Sequence, residues 1–132
     1  MKKKPKILIV KSRYNDTSGL FKSASLILEQ KNISFDKISV NGAFEIPVSI
    51  SRNIKKYDGF VALGIIIKGD TPNFSLISQA ITNGLMEIAI NYRKPIGNAV
   101  LTCLNIEQAE KRSVKGKEAV EAVLDVLLPQ KE

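Results

Sequence analysis

The chain has 132 residues, 44% of them hydrophobic and 25% charged, a balance typical of a globular protein with one core. Its net charge is +7, and much of the excess lies in the lysine-rich residues 2–6 and 111–117. Aromatic residues make up only 6%, tryptophan is absent, and no nucleic-acid-binding motif is present. We therefore expect no nucleic-acid partner, because an anionic small-molecule substrate or ordinary solubility explains the charge as well.

The lengths of the apolar segments and the number of cysteines indicate where in the cell the protein is located. No apolar segment approaches the ~20 residues of a membrane span, so no membrane partner is expected. The apolar run at residues 7–10 is too short for the core of a signal peptide. The one cysteine, Cys103, cannot form an internal disulfide and is predicted to be a small core residue. These features together predict a cytoplasmic protein.

Four short runs rich in β-branched residues predict four strands. They span residues 6–10, 35–40, 60–67 and 96–103. The first and third runs are continuously apolar, which is typical of strands that are buried on both faces of a parallel sheet.

Helical patterns follow each strand. Thr17 or Ser18 can cap the first helix, whose apolar stripe is Leu20, Phe21, Ala24, Ile27 and Leu28. The second helix is predicted from Pro47 and carries Val48, Ile50 and Ile54. The third begins at Asn73 and has apolar positions at Phe74, Ile77, Ile81, Leu85 and Ile88. The last two helices are predicted at residues 106–111, capped by Asn105, and at residues 114–128.

Strands that alternate with helices predict an α/β fold, with a parallel sheet, right-handed crossovers and helices on both faces. Ligands bind such sheets beyond the carboxyl ends of the strands. The polar segments expected at that edge are residues 12–16, 41–45, 68–73 and 102–105. We expect a single domain over residues 1–132, with a basic, flexible tail at residues 1–5.

The junction between the third strand and the third helix has the features of an anion site. Thr71 can cap the helix, and Pro72 then occupies its first position, where a missing N–H costs nothing. A helix N-terminus presents backbone N–H groups and a partial positive charge. The same geometry occurs in structural turns, so the junction alone does not distinguish a site from a scaffold.

Several kinds of chemistry are excluded by residue type. The chain has no histidine, which removes Ser-His and Cys-His catalysis and argues against zinc. It has no glycine-rich nucleotide-binding motif, and we predict neither a metal nor a cofactor.

A few charged residues are candidates for ligand contacts. Glu45 can either accept hydrogen bonds from a ligand or complement the dipole of the helix that follows it. Lys68, Arg112 and Lys115 are candidate phosphate partners, although singly each is more typical of a solvated surface charge.

Taken together, several segments resemble the lumazine synthase family of riboflavin biosynthesis. The similarity runs nearly end to end, and its most specific part is GAFEIP at residues 42–47. The other matching segments are Arg13-Tyr14-Asn15, Leu63-Gly64, Lys68-Gly69-Asp70-Thr71-Pro72, Asn105-Ile106-Glu107-Gln108-Ala109 with Arg112, and Lys115-Gly116.

The resemblance implies a flavodoxin-like, three-layer α/β/α fold with a four-stranded parallel sheet. It implies homo-oligomers based on pentamers, which are sometimes stacked or closed into a shell. The implied reaction, which needs no cofactor, condenses 5-amino-6-(D-ribitylamino)uracil with 3,4-dihydroxy-2-butanone 4-phosphate to form 6,7-dimethyl-8-ribityllumazine. An imine forms, phosphate leaves, and the ring closes with loss of water. The protein would mainly position two reactants and stabilise developing charge.

Residue roles follow from the same resemblance. The pyrimidine would be bordered by Asn15 and stacked on by Tyr14, and the ribityl chain would be held by Ala43 and Glu45. Ile66 and Ile67 would line the heterocycle, and the substrate site would also include Phe44, Lys68 and Asn98. The phosphate would be bound by Gly69, Asp70, Thr71 and Arg112, with Lys115 near the reacting groups. Asn98, Arg112 and Lys115 would come from an adjacent chain.

The chain departs from the family pattern at its proposed proton shuttle. The family usually has histidine where this chain has Asn73, and an asparagine cannot exchange protons near neutral pH. Tyr14 replaces a phenylalanine, Asn98 replaces an aromatic residue, and the segment between Arg112 and Lys115 is shorter than in many relatives. An alternative function is therefore an impaired family member that binds a riboflavin- or lumazine-like ligand or builds a shell.

Overall fold

The four predicted strands form one parallel sheet in the computed structural model, which describes residues 4–131. The strand order is β2–β1–β3–β4, with β1 at Ile7–Ser12, β2 at Phe35–Val40, β3 at Gly59–Ile67 and β4 at Ile96–Cys103. The continuously apolar runs form the central strands β1 and β3, because only a central strand can bury both of its faces.

Helices cover both faces of this sheet. On one face lie α1 (Ser18–Gln30), α4 (Ile106–Lys111) and α5 (Lys115–Leu127). A turn of 3₁₀-helix (Ala43–Glu45), α2 (Ile46–Arg52) and α3 (Asn73–Tyr92) lie on the other. Alternate β1 residues pack into the two cores, Ile7 and Ile9 with α1 and α5, and Leu8 and Val10 with α2 and α3. The predicted three-layer, flavodoxin-like α/β/α fold is thereby confirmed.

The start of α1 differs from its prediction in detail. Thr17 occupies the cap position, but its hydroxyl donates to the Ser12 carbonyl oxygen (3.1 Å). The backbone N–H of Ser18 instead donates to the carboxylate of Asp16 (2.9 Å). The reason is burial, because the Thr17 side chain points into the protein and closes the turn after β1.

The apolar stripe predicted for the second helix is also only partly correct. Ile50 is buried as predicted, whereas Val48 is 57% exposed. Ile54 is buried, but α2 has already ended at Arg52. A helix of two turns presents few positions to the core, so Val48 remains on the outer surface of α2.

The N-terminal segment falls partly outside the described residues, which exclude residues 1–3 of the predicted tail. Pro5 is buried, and the Lys4 ammonium donates to the Lys31 carbonyl oxygen (3.2 Å) near the end of α1. Within residues 4–131, no helix is long and apolar enough to cross a membrane.

A polar cluster ties edge strand β2 to the segment that precedes β3. The Tyr57 hydroxyl donates to the Asp36 carboxylate (2.6 Å), and the Lys6 ammonium lies 3.4 Å from the same oxygen. The hydrogen bond from Tyr57 is the main cause that lowers the pKa of Asp36 below its ordinary value, and Lys6 lowers it further. The charged form of Asp36 is therefore favoured in the folded protein.

Tyr57→Phe is expected to lower the free energy of unfolding at neutral pH and to leave it unchanged in strong acid. A lowered carboxylate pKa contributes stability above the pKa of the unfolded state, about 3.9, and this stability is lost as the pH falls through the folded value. Urea unfolding of both chains from pH 7 to pH 2.5 measures the difference. A stability difference that is the same at every pH would contradict the role given to the ionised carboxylate.

Candidate functional site

A cleft of about 570 Å³ lies at the carboxyl edge of the sheet, beside the start of α3. Its lining contains eight of the residues predicted from the sequence, namely Tyr14, Asn15, Ala43, Phe44, Ile66, Ile67, Lys68 and Gly69. They come from the segments that follow β1, β2 and β3, which the parallel sheet brings together. Tyr14 and Phe44 are 82% and 60% exposed, so two aromatic rings stand at the surface of the cleft.

The segment after β1 is held by its backbone and by one side chain. The N–H groups of Arg13 and Tyr14 donate to the carbonyl oxygens of Val40 (2.8 Å) and Asn41 (2.9 Å) at the end of β2. The side-chain amide of Asn15 donates to the Ile65 carbonyl oxygen of β3 (2.8 Å). Tyr14 therefore has a fixed backbone and an exposed ring.

Glu45 closes the 3₁₀ turn after β2. One of its carboxylate oxygens accepts a hydrogen bond from the Gly42 N–H (2.9 Å), and the residue directly precedes α2. The second oxygen makes no hydrogen bond to the rest of the described chain. Glu45 is half-buried, so the carboxylate can complement the α2 dipole and still accept a hydrogen bond from a ligand hydroxyl.

The junction between β3 and α3 differs from its predicted capping, because Pro72 and not Thr71 occupies the cap position and α3 begins at Asn73. The Thr71 hydroxyl accepts from the Asn73 N–H (3.3 Å), and Pro72 already has helical backbone angles (φ −68°, ψ −3°). All six residues from Lys68 to Asn73 are exposed. A Cβ atom on Gly69 would meet no atom within 4 Å, so the backbone faces open space at the edge of the cleft. The first turn of α3 thus presents N–H groups to solvent next to the cleft.

Seven predicted site residues are not among those that line the cleft. Four of them, Glu45, Asp70, Thr71 and Asn73, directly follow or lie next to lining segments, whereas Asn98, Arg112 and Lys115 lie elsewhere on the chain. Asn98 lies within β4, four residues before Thr102. Thr102 pairs with the cleft residue Ile66, so Asn98 is roughly 13 Å along the strand from the level of the cleft. Arg112 follows α4 and donates to the Thr102 carbonyl oxygen (3.3 Å), and Lys115 forms an ion pair with Glu118 (3.1 Å). Asn98, Arg112 and Lys115 are all exposed. Their expected contribution to the site of an adjacent chain stays a prediction.

The structure adds three cleft residues to the predicted set, Gly42, Ile65 and Ile77. Ile77 lies one turn after Asn73 on the apolar stripe of α3, which the sequence alone assigns to the core. A helix that borders a cleft uses the same apolar stripe to pack against the core and to line the cleft. The spacing of apolar residues therefore does not distinguish core residues from cleft residues.

The fold and the cleft together define the class of protein, a flavodoxin-like α/β protein with an open cleft at the carboxyl edge of its sheet. The chain belongs to the 6,7-dimethyl-8-ribityllumazine synthase family, whose model matches residues 4–130. It is 38% identical over 141 residues to the 6,7-dimethyl-8-ribityllumazine synthase of Bartonella tribocorum, which covers 99% of this chain and 93% of that protein. It is 40% identical over 118 residues to the enzyme of the same name from Agrobacterium fabrum, covering 83% of this chain and 80% of that protein.

Proposed function

We propose that this chain is a cytoplasmic 6,7-dimethyl-8-ribityllumazine synthase, a transferase of riboflavin biosynthesis. The reaction joins 5-amino-6-(D-ribitylamino)uracil to 3,4-dihydroxy-2-butanone 4-phosphate and releases phosphate and water. The observation that carries the proposal is the gathering of eight predicted substrate and phosphate residues in one cleft of a chain similar to such synthases over nearly its whole length. The direct test is lumazine formation from the two substrates at a rate above the uncatalysed background.

The cleft supports a division of roles between its two ends. Tyr14 and Phe44 offer aromatic faces to the pyrimidine, with Ile66 and Ile67 as the apolar wall. Glu45 offers its unbonded carboxylate oxygen to ribityl hydroxyls. At the other end, residues 69–71 at the start of α3 bind the phosphate. In this proposal the amine of one substrate lies beside the carbonyl of the other, and positioning of this kind supplies much of the rate gain.

A neighbouring chain completes the site in this proposal. Exposed apolar side chains lie on α2, α3 and the turn before them, and they are Phe44, Val48, Leu76, Met86, Ile90 and Tyr92. Such a face favours burial against another protein surface. We propose a pentamer in which Arg112 of one chain reaches the phosphate in the next chain's cleft, with Asn98 and Lys115 beside the reactants.

Mixing two inactive variants tests the shared site. Glu45→Ala and Lys115→Ala, refolded together in equal amounts, are expected to recover about a quarter of the wild-type activity, because random assembly gives that fraction of intact sites. Each variant refolded alone is the control. Activity in the mixture no higher than the mean of the two variants would place Glu45 and Lys115 in the same chain's site, and sedimentation of the wild type distinguishes a pentamer from other assemblies.

The second candidate function is the alternative that Asn73 raises, an impaired family member that binds a lumazine-like ligand or forms a shell. The chain contains no histidine, so the residue that usually serves as the proton shuttle in this family is missing. Ligand binding without any acceleration of lumazine formation would establish this candidate and remove the first.

A further inference from the structure

Asn15 extends the β1–β3 pairing beyond the end of the strand ladder. The last paired residues are Lys11 of β1 and Leu63 of β3, so the Ile65 carbonyl oxygen lies past the final pair. The side-chain amide of Asn15 donates to that oxygen at 2.8 Å and takes the place that a backbone N–H of β1 would have occupied. Because an unpaired carbonyl in a buried position is costly, one N–H of the Asn15 amide is held in this bond.

The opposite side of the same segment is anchored to β2. The Tyr14 N–H donates to Asn41 O (2.9 Å), directly before the Asn15 side chain crosses to β3. Hydrogen bonds on either side of Tyr14 therefore tie this segment to the end of β2 and to β3, while the Tyr14 ring, 82% exposed, lines the cleft. These two anchors fix the backbone of Tyr14 and therefore the direction of its Cα–Cβ bond, which matters because so exposed a ring gains little orientation from packing.

We propose that Asn15 is a positioning residue whose effect on the pyrimidine substrate is transmitted entirely through Tyr14. This inference rests on the proposed function, in which the Tyr14 ring stacks on the pyrimidine. It revises the expected role of Asn15, from a residue that contacts the substrate to one that fixes the ring that does. A ring held in its binding orientation loses less conformational freedom when the substrate binds.

A double-mutant cycle on substrate binding tests the inference. Asn15→Asp keeps the size of the side chain but replaces its amide donor with a carboxylate oxygen that repels the Ile65 carbonyl. We expect it to weaken binding of 5-amino-6-(D-ribitylamino)uracil, measured by calorimetry, about fivefold or more. In a Tyr14→Ala background the same substitution is expected to change the dissociation constant less than twofold. In turnover, KM should rise with little change in kcat.

Thr17→Val is the matched control in the same loop. It removes the Thr17–Ser12 hydrogen bond and leaves both anchors of Tyr14 in place, so the dissociation constant should stay within twofold of wild type. Equal losses for Asn15→Asp with and without Tyr14 would show that Asn15 contacts the substrate itself. Unchanged binding would show a purely structural role. Either result overturns the inference.

Hydrogen exchange separates failure of this inference from failure of the proposed function. The Tyr14 amide should exchange faster in Asn15→Asp and at the wild-type rate in Thr17→Val. Faster exchange with the coupled loss of binding supports the positioning role even in a chain that makes no lumazine. Unchanged exchange overturns it even in a chain that is fully active.

Discussion

Asn73→His is expected to raise the rate of lumazine formation by about 10²-fold or more. Asn73 is the first residue of α3 and lies exposed beside residues 69–71, the segment that we propose binds the phosphate. An asparagine there can hydrogen-bond but cannot accept or release a proton near neutral pH. General acid–base help typically contributes roughly 10²–10⁴ in rate, and an imidazole with a pKa near about 6.5 is suited to supply it. Steady-state kinetics of both chains with saturating substrates measures the gain in kcat.

The pH dependence makes this prediction specific. Compared with the parent, whose reaction includes only the substrate phosphate as a titrating group in this range, the histidine variant should show an additional inflection in kcat near about pH 6.5 from its imidazole. Asn73→Gln is the control, since it changes size and position without adding a titrating group, and its rate should not rise. A histidine variant no faster than the parent would show that proton transfer does not limit this chain or that another relay has replaced the shuttle.

Gly116→Ala is expected to lower the free energy of unfolding by about 3 kcal/mol or more. Gly116 lies in the first turn of α5, where the helix crosses α1, and a methyl group there would overlap the Leu20 carbonyl oxygen. It would also lie 2.7 Å from the Ser23 hydroxyl oxygen. Because the obstacle is backbone, no side-chain rotation can relieve it, so the two helices must move apart. Urea or thermal unfolding measures the loss.

Gly84→Ala is the matched control for this prediction. Gly84 is also a helical glycine, but a methyl group there would meet Pro47 at 3.6 Å, an ordinary contact distance. Alanine is favoured over glycine inside helices by about 0.5–1 kcal/mol, so this variant should be as stable as the parent or slightly more stable. Equal stabilities of the two variants would contradict the close packing of α5 against α1.

The central strands β1 and β3 could be predicted from the sequence because burial on both faces leaves a continuous apolar run, and the edge strands β2 and β4 because they are rich in β-branched residues. β2 and β4 occur at the predicted residues, and β3 begins one residue earlier, at Gly59. Side-chain details depend on tertiary contacts that a linear pattern does not contain. The hydroxyl of Thr17, for example, donates to the Ser12 carbonyl oxygen, although threonine just before a helix usually caps it by accepting a hydrogen bond from a backbone N–H.

The candidate site could be predicted from short segments because the parallel sheet brings the residues that follow successive strands to one edge. Tyr14, Ala43 and Gly69, which are far apart in sequence, line one cleft for this reason. The placement of Arg112 and Lys115 depends on a neighbouring chain, and no pattern within one chain specifies that relation. The hydrogen bond from Asn15 to Ile65 was likewise beyond prediction, since it depends on where the β1–β3 ladder ends.

In the proposed function, this cleft makes 6,7-dimethyl-8-ribityllumazine. Purified protein mixed with 5-amino-6-(D-ribitylamino)uracil and 3,4-dihydroxy-2-butanone 4-phosphate tests it most directly, with lumazine absorbance followed over time. We predict formation at a rate well above the protein-free background, proportional to protein concentration and strongly reduced in Glu45→Gln. A rate equal to the background at every protein concentration would contradict the assignment.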